Sequence, residues 1–131
     1  MLSLWIVALL ASNEEQGLTV IIMGHNVERA RSNLGHIFET YGAMNGTVSE
    51  LVFVWDNEDA HIPVGPRPNL PVPIRLVLDP VPRRSLNARW RYCATAKTEA
   101  VVTVDDDLLI DETAITCLRN AWRTAGRVVG M

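Results

Sequence analysis

The stretch that decides the fold is AVVTVDDD, residues 100–107, an apolar run that ends in three consecutive aspartates. Its first five residues are apolar or β-branched, which is typical of a strand buried on both faces of a parallel sheet. The same pattern recurs in LTVIIM (Leu18–Met23), LVFVW (Leu51–Trp55) and IRLVL (Ile74–Leu78). The sequence therefore predicts four buried strands, the last of which leads into the acidic triplet.

Helical periodicity separates these strands. Apolar residues recur at helical spacing over Val27–Tyr41, and Asn26 precedes them as an N-cap candidate. A second helix is predicted from about Leu86 to Ala96, and a third from Asp111 or Thr113 onward. Because strand and helix alternate, the predicted fold class is α/β with a mainly parallel sheet and flanking helices.

Composition and charge exclude several classes of protein. The 131 residues are 48% apolar and 21% charged, as expected for one ordinary globular domain. Although 12 residues are basic, the net charge is −3 and no basic stripe occurs, which argues against a nucleic-acid partner. The sequence also lacks phosphate-loop, dinucleotide-binding and nucleophile-elbow motifs.

The two cysteines, Cys93 and Cys117, have no zinc-site spacing. Both fall in predicted helices. We interpret them as a pair of buried thiols, with a disulfide bond between them as the alternative in a secretory protein.

The N-terminal run LSLWIVALLA (residues 2–11) is apolar but short. An ordinary transmembrane helix needs about 20 residues. Its length and the small residues Ala11 and Ser12 suit a signal peptide, although no positive residues precede it. Three interpretations stay open: a signal-like segment, the remnant of a longer anchor, and a buried strand or an artefact. We divide the chain into this segment with its spacer, residues 1–16, and a domain over 17–131.

Polar residues follow three of the predicted strands where each ends. Asn26 follows the first strand, Asp56 and Asn57 the second, and Asp105–Asp107 the fourth. Ligands of open parallel sheets bind beyond the carboxyl ends of the strands, so these side chains are expected to share one edge.

Three adjacent carboxylates repel one another and are costly to desolvate, and a divalent cation removes both difficulties. Mg²⁺ and Mn²⁺ take one or two carboxylates together with phosphate oxygens. Strand alternation places Asp105 and Asp107 on one side and Asp106 on the other. The alternative is a solvated acidic turn that caps the following helix through its dipole.

Asn87 and Arg89 lie just upstream, in SLNARW. They are either the exposed face of a helix or donors to a diphosphate or nucleoside, for which arginine offers bidentate, charge-assisted bonds.

The segment Ser85–Asp111 resembles the carboxyl-terminal catalytic domain of the exostosins and exostosin-like proteins, the family-64 glycosyltransferases. The resemblance covers roughly Leu18–Met131 in order. It is carried by SLNARW (85–90), TEAV (98–101), the triplet DDD (105–107), AWRTAGRVVGM (121–131), TVIIMGHN (19–26) and LVFVWDN (51–57).

The resemblance implies a GT-A fold, a UDP-sugar donor and a Mn²⁺ or Mg²⁺ cofactor. It implies transfer of a sugar, typically N-acetylhexosamine, to a glycan acceptor with retention of configuration. Asp107 would be the main metal ligand, with Asp105 near the metal and ribose, and Asp106 would approach the sugar. The implied UDP-binding residues are Asn26, Asn57, Asn87 and Arg89. Since the family's Tyr-Asn-Arg reads His25-Asn26-Val27 here, Arg29 or Arg31 is the candidate replacement for the missing arginine.

The family's acceptor site, a further catalytic carboxylate and a disulfide lie beyond the part that this chain resembles. We therefore expect a partial family-64 domain whose catalytic residue is unknown, and a partner subunit is left open. Family habit implies a membrane-associated protein of the Golgi or endoplasmic reticulum.

Three other functions compete with this prediction. The first is a nucleotide-sugar-binding pseudoenzyme without turnover. The second is a haloacid-dehalogenase-like phosphatase, in which Asp105 is the nucleophile and Asp107 the acid. The phosphatase signature has Thr or Val where this chain has Leu109, and it normally follows the first strand, whereas the triplet here follows the fourth. The third is a metal-free domain with an acidic turn.

Overall fold

The computed structural model describes residues 5–8, 17–59, 61–65, 69–79, 88–125 and 129–130. Within them lie six strands: β1 (Trp5–Ala8), β2 (Leu18–Gly24), β3 (Val48–Trp55), β4 (Ile74–Leu78), β5 (Ala100–Asp105) and β6 (Val129–Gly130). The helices are α1 (Val27–Gly42), α2 (Ala88–Cys93) and α3 (Glu112–Ala125). The predicted alternation of strands and helices is confirmed.

The strands form one sheet in the order β4-β3-β2-β5-β1-β6. β4, β3, β2 and β5 are parallel neighbours, whereas β1 runs antiparallel to both β5 and β6. This is the predicted mainly parallel α/β sheet, of the GT-A-like kind. The N-terminal apolar run contributes β1 through pairs such as Ile6 with Val102; its role as a signal or anchor stays a prediction.

The parallel strands are apolar on both faces because helices cover both. On one face, α1 and α3 pack against β2 residues such as Val20 and Ile22. On the other, Cys93 of α2 packs with Ile21 and Val52. A central parallel strand therefore needs a continuous apolar run, which explains why LTVIIM was recognisable from sequence.

Helix α1 begins and ends close to its predicted limits. The Asn26 side chain caps it by accepting a hydrogen bond from the Arg29 amide at 3.0 Å, as the sequence predicted. Its buried stripe includes Leu34, Ile37 and Phe38. The described part of α2 ends at Cys93, three residues before the predicted end at Ala96, because the chain turns there through bonds such as the one from Ala96 N to Cys93 O.

The prediction for the cysteines needs correction. Cys93 is buried but Cys117 is exposed, and both thiols are free. The expected burial is thus wrong for Cys117, and the alternative, a disulfide between the two, is wrong because α2 and α3 cover opposite faces of the sheet. Bridged cysteines need Cα atoms within about 7 Å of each other. Across the described part of the chain, no helix combines the length and apolar character needed to cross a membrane.

Candidate functional site

The carboxyl ends of four parallel strands line up at one edge. Trp55 at the end of β3 pairs with Gly24 of β2 on one side and with Leu78 of β4 on the other. Asp105 at the end of β5 pairs with Met23 of β2. The structure thus brings together the strand ends that sequence analysis expected to share an edge. Gly24 keeps this edge close-packed, since a Cβ there would lie 2.6 Å from Cζ of Phe53.

Asp105 points to the α2 face of the sheet and is held by Arg89. The Arg89 guanidinium donates to Asp105 Oδ1 across 2.7 Å, and the arginine side chain is only 5% exposed. Arg89 is therefore not an exposed helix residue, the first of its two interpretations. Its buried, charge-assisted bond fixes the carboxylate at the end of β5.

Asp106 points to the opposite face, towards α1. Arg29 donates to its Oδ1 at 3.2 Å, and Asn33 Nδ2 donates to its backbone carbonyl at 3.2 Å. The second carboxylate oxygen, Oδ2, is buried and has no partner within the described residues. Burial raises the pKa of Asp106 above its ordinary value, and the Arg29 guanidinium opposes that rise. The predicted alternation of Asp105 and Asp106 across the sheet is therefore observed.

Asp107 is the exposed member of the triplet. Among the described residues, no hydrogen bond or ion pair engages its carboxylate. No group of three or more His, Cys, Asp or Glu side chains in the described segments is arranged to hold a metal ion. The donor set fits an ion that takes one or two carboxylates here and completes its shell with ligand oxygens, the usual arrangement for Mg²⁺ with phosphates.

Asn26 and Asn57 both order the loops at this edge. Asn26 caps α1, and Asn57 Nδ2 donates to the carbonyl of His25 at 2.6 Å. Asn57 Oδ1 accepts from the Asp59 amide at 2.8 Å. These bonds tie the loop after β3 to the loop after β2. Asn87, the remaining predicted UDP-binding residue, lies outside the described residues.

A second acidic pair lies at this edge, of which sequence analysis named Asp56 and missed Asp79. Asp56 follows β3 and Asp79 follows β4, and both are buried. Oδ1 of Asp56 has no partner among the described residues, whereas Asp79 accepts from Arg91 at 3.0 Å. Burial, followed by the charge of Asp79, raises the pKa of Tyr92 nearby. The signal was present in the sequence, since Asp79 follows IRLVL as directly as Asp56 follows LVFVW.

The structure also distinguishes the two candidate arginines near the start of α1 by their contacts. Arg29 reaches the acidic triplet through Asp106, whereas Arg31 is an exposed residue of α1. Of these two arginines, only Arg29 contacts the acidic triplet in the described part of the chain.

The comparison with known families agrees with this geometry. Residues 18–131 match the model of the glycosyl transferase family 64 domain. No significant match is found among the curated proteins. The match covers β2 to the end of the chain, including the acidic triplet and every described strand end at the carboxyl edge. The chain belongs to glycosyltransferase family 64.

Proposed function

We propose that this glycosyltransferase-family domain binds a UDP-sugar at the carboxyl edge of the sheet, with a Mn²⁺ or Mg²⁺ ion between the donor diphosphate and the acidic triplet. One observation carries the proposal: at the edge shared by the parallel strand ends, β5 leads into three aspartates, two held by arginines and the third exposed. One carboxylate is thus accessible while its two neighbours are held in place. Such a site suits a metal ion that is also coordinated by oxygens of a bound ligand.

Asp107 is the proposed main ligand of the ion, and Asp105 contributes next to it. When bound, the ion supplies Lewis-acid stabilisation of the departing diphosphate. Arg89 holds Asp105 in place through the 2.7 Å bond. Its guanidinium also adds a fixed positive charge at the edge where the diphosphate gains negative charge.

Arg29 is the proposed second basic group of the donor site. Its side chain is 41% exposed although one nitrogen donates to Asp106. An arginine has five N–H donors, so the guanidinium retains donors for a phosphate oxygen while it neutralises the buried Asp106 carboxylate.

The nucleoside end of the donor is assigned to the loops after β2 and β3. Asp56 Oδ1 is a buried acceptor without a partner in the described part of the chain, which suits an N–H donor of a ligand. Asn57 and Asn26 shape the adjoining loops, and Asn87 of the SLNARW segment is included on the resemblance alone. We further propose N-acetylhexosamine as the transferred sugar, a glycan as the acceptor, and retention of configuration.

The proposal is tested by calorimetric titration of the folded chain with UDP, with and without Mn²⁺. We expect Mn²⁺-dependent binding that is lost in Asp107→Ala. Glu39→Ala is the matched control, because it removes an exposed carboxylate from the second half of α1, which ends at the amino end of the sheet. Circular dichroism establishes that each variant is folded.

Each outcome of the titration tests a different part of the proposal. A folded wild-type chain that does not bind UDP would overturn the donor site. If UDP binds equally well without Mn²⁺ and in Asp107→Ala, the nucleotide site is supported and the proposed metal site is wrong. Binding without transfer from any UDP-sugar would identify the inactive nucleotide-sugar-binding alternative.

A further inference from the structure

The segment that follows the acidic triplet runs along helix α1. We call Leu108–Asp111 the descending segment, because it leads from the carboxyl end of β5 to the start of α3 beside Thr47. Thr47 lies just before β3, at the amino end of the sheet. The descending segment thus passes from one end of the sheet to the other without helix or strand structure of its own.

Side chains of α1 and the loop after it fix this path. Near the top, Asn33 donates to the carbonyl of Asp106. In the middle, the Tyr41 hydroxyl donates to the carbonyl of Leu108 at 3.3 Å and accepts from the amide of Ile110 at 3.1 Å. At the bottom, Thr47 Oγ1 donates to Glu112 Oε1 at 2.7 Å.

Tyr41 is suited to a fixed role between these points. Its ring is fully buried in the core of the α1 face. Burial raises the pKa of its hydroxyl, so the proton donated to Leu108 is retained at neutral pH. Leu108 and Ile110 pack against the same core, whereas Leu109 between them is 41% exposed. A single hydroxyl thereby satisfies two backbone groups of an extended segment whose side chains alternate in and out.

We infer that Tyr41 is a positioning residue of the donor site, which fixes the backbone after the triplet so that Asp107 is presented in one orientation. This inference rests on the proposed function. Asp107 has no side-chain partner in the described residues, so its placement depends on its backbone neighbours. Those neighbours are held by the Leu108 amide bond to Asp105 O at 3.2 Å, by Asn33, and by Tyr41.

The variants that test the inference are Tyr41→Phe and Thr47→Val. Tyr41→Phe removes both hydroxyl bonds and keeps the ring, while Thr47→Val removes the bond at the far end of the descending segment with little change in shape. Thr47→Val is therefore a matched loss of one side-chain bond, made to Glu112 just after the descending segment and away from the triplet. A thermal melt of each variant establishes that it is folded.

The first measurement is amide hydrogen exchange resolved by residue, which needs no ligand. In Tyr41→Phe we expect faster exchange at Ile110, whose amide has lost its acceptor, and at Leu108 and Leu109 next to it. In Thr47→Val we expect exchange at these amides to stay as in the wild type. Equal exchange in the wild type and Tyr41→Phe would overturn the inference, whether or not the chain binds UDP.

The second measurement is the Kd for UDP at fixed Mn²⁺. Groups that orient metal ligands change metal affinity by about 10- to 100-fold when removed, and we expect a weakening of that size in Tyr41→Phe only. If UDP binds and both variants bind as well as the wild type, Tyr41 is merely structural and the inference is wrong. If the wild type does not bind UDP, the proposed function is wrong. The hydrogen-exchange data then test by themselves whether Tyr41 fixes the backbone after the triplet.

Discussion

The two faces of the sheet are held by different forces. On the α1 face, twenty of the described buried residues form one apolar cluster with α1 and α3. On the α2 face the described buried cluster has five members, and the described part of α2 is six residues long. Among the described residues, that face instead carries three ion pairs: Arg75 with Glu50, Arg89 with Asp105 and Arg91 with Asp79.

This difference explains where the proposed donor site lies. Apolar burial is non-directional and builds a scaffold, whereas a carboxylate paired with an arginine is held in one geometry, and its burial has a cost in desolvation. Two of these pairs lie at the carboxyl edge, where Asp105 ends β5 and Asp79 directly follows β4. The apolar cluster of the α1 face therefore stabilises the fold, and the ion pairs of the α2 face hold its charged side chains in place.

The largest effect is expected on the α1 face, from Phe53→Ala. Phe53 is fully buried, and its ring lies edge-on to Phe38 at 6.1 Å and stacked on Trp55 at 6.2 Å. Truncation of such a residue costs about 3–5 kcal/mol of unfolding free energy, from lost transfer energy and the cavity left behind. Urea denaturation measures it.

Val52→Ala is the control for Phe53→Ala, because Val52 lies on the same strand and faces α2. We expect a smaller loss there. An equal or larger loss from Val52→Ala would show that the α2 face contributes as much to stability as the α1 face, and would break the comparison.

A slightly smaller effect is expected on the α2 face, from Arg75→Met. Glu50 is 2% exposed, and its carboxylate accepts from Arg75 Nε at 3.0 Å and from the Lys97 amide at 3.3 Å. Removal of the arginine leaves a buried charge without its counter-ion. Because Arg75 is partly exposed, we expect about 3 kcal/mol of destabilisation, the lower end for a broken buried pair.

The double variant Arg75→Met with Glu50→Gln distinguishes a charge effect from a packing effect. If the cost comes from the uncompensated carboxylate, the double variant unfolds at higher urea than Arg75→Met alone. A double variant less stable than Arg75→Met would show that the charges of this pair contribute little, contrary to our account of the α2 face.

The contrast between the faces also explains what the sequence could predict. The strands and α1 follow from apolar periodicity, which local sequence displays, so LTVIIM and Val27–Tyr41 were recognisable. The ion pairs of the α2 face join residues such as Glu50 and Arg75, which no local pattern links. The pairing of Arg89 with Asp105 likewise depends on the packing of α2 over β5, so sequence could place both near the site without showing that they bind each other.

A smaller effect is expected where the α1 scaffold meets the carboxyl edge, from Asn26→Ala. The side chain caps α1 through its bond to the Arg29 amide, and loss of such a cap costs about 0.5–2 kcal/mol. Ser32→Ala is the control on the same helix, because Ser32 is exposed and bonds only to the Glu28 carbonyl within the described residues. If the two substitutions cost the same in urea denaturation, the cap is not a stabilising link between scaffold and site.

The smallest perturbation uses the two native thiols to compare the faces directly. Cys117 is exposed on α3, whereas Cys93 is buried in the small cluster of the α2 face. Burial also raises the pKa of the Cys93 thiol, which disfavours the reactive thiolate. Iodoacetamide labelling followed by mass spectrometry should therefore modify Cys117 at once and Cys93 only when α2 opens. Because the described part of α2 is short and its described apolar cluster is small, we expect Cys93 to become labelled through local opening, faster than global unfolding measured by urea kinetics. If Cys93 is labelled only at the rate of global unfolding, α2 does not open locally. The ion pairs would then hold α2 on the sheet as strongly as apolar burial holds α1.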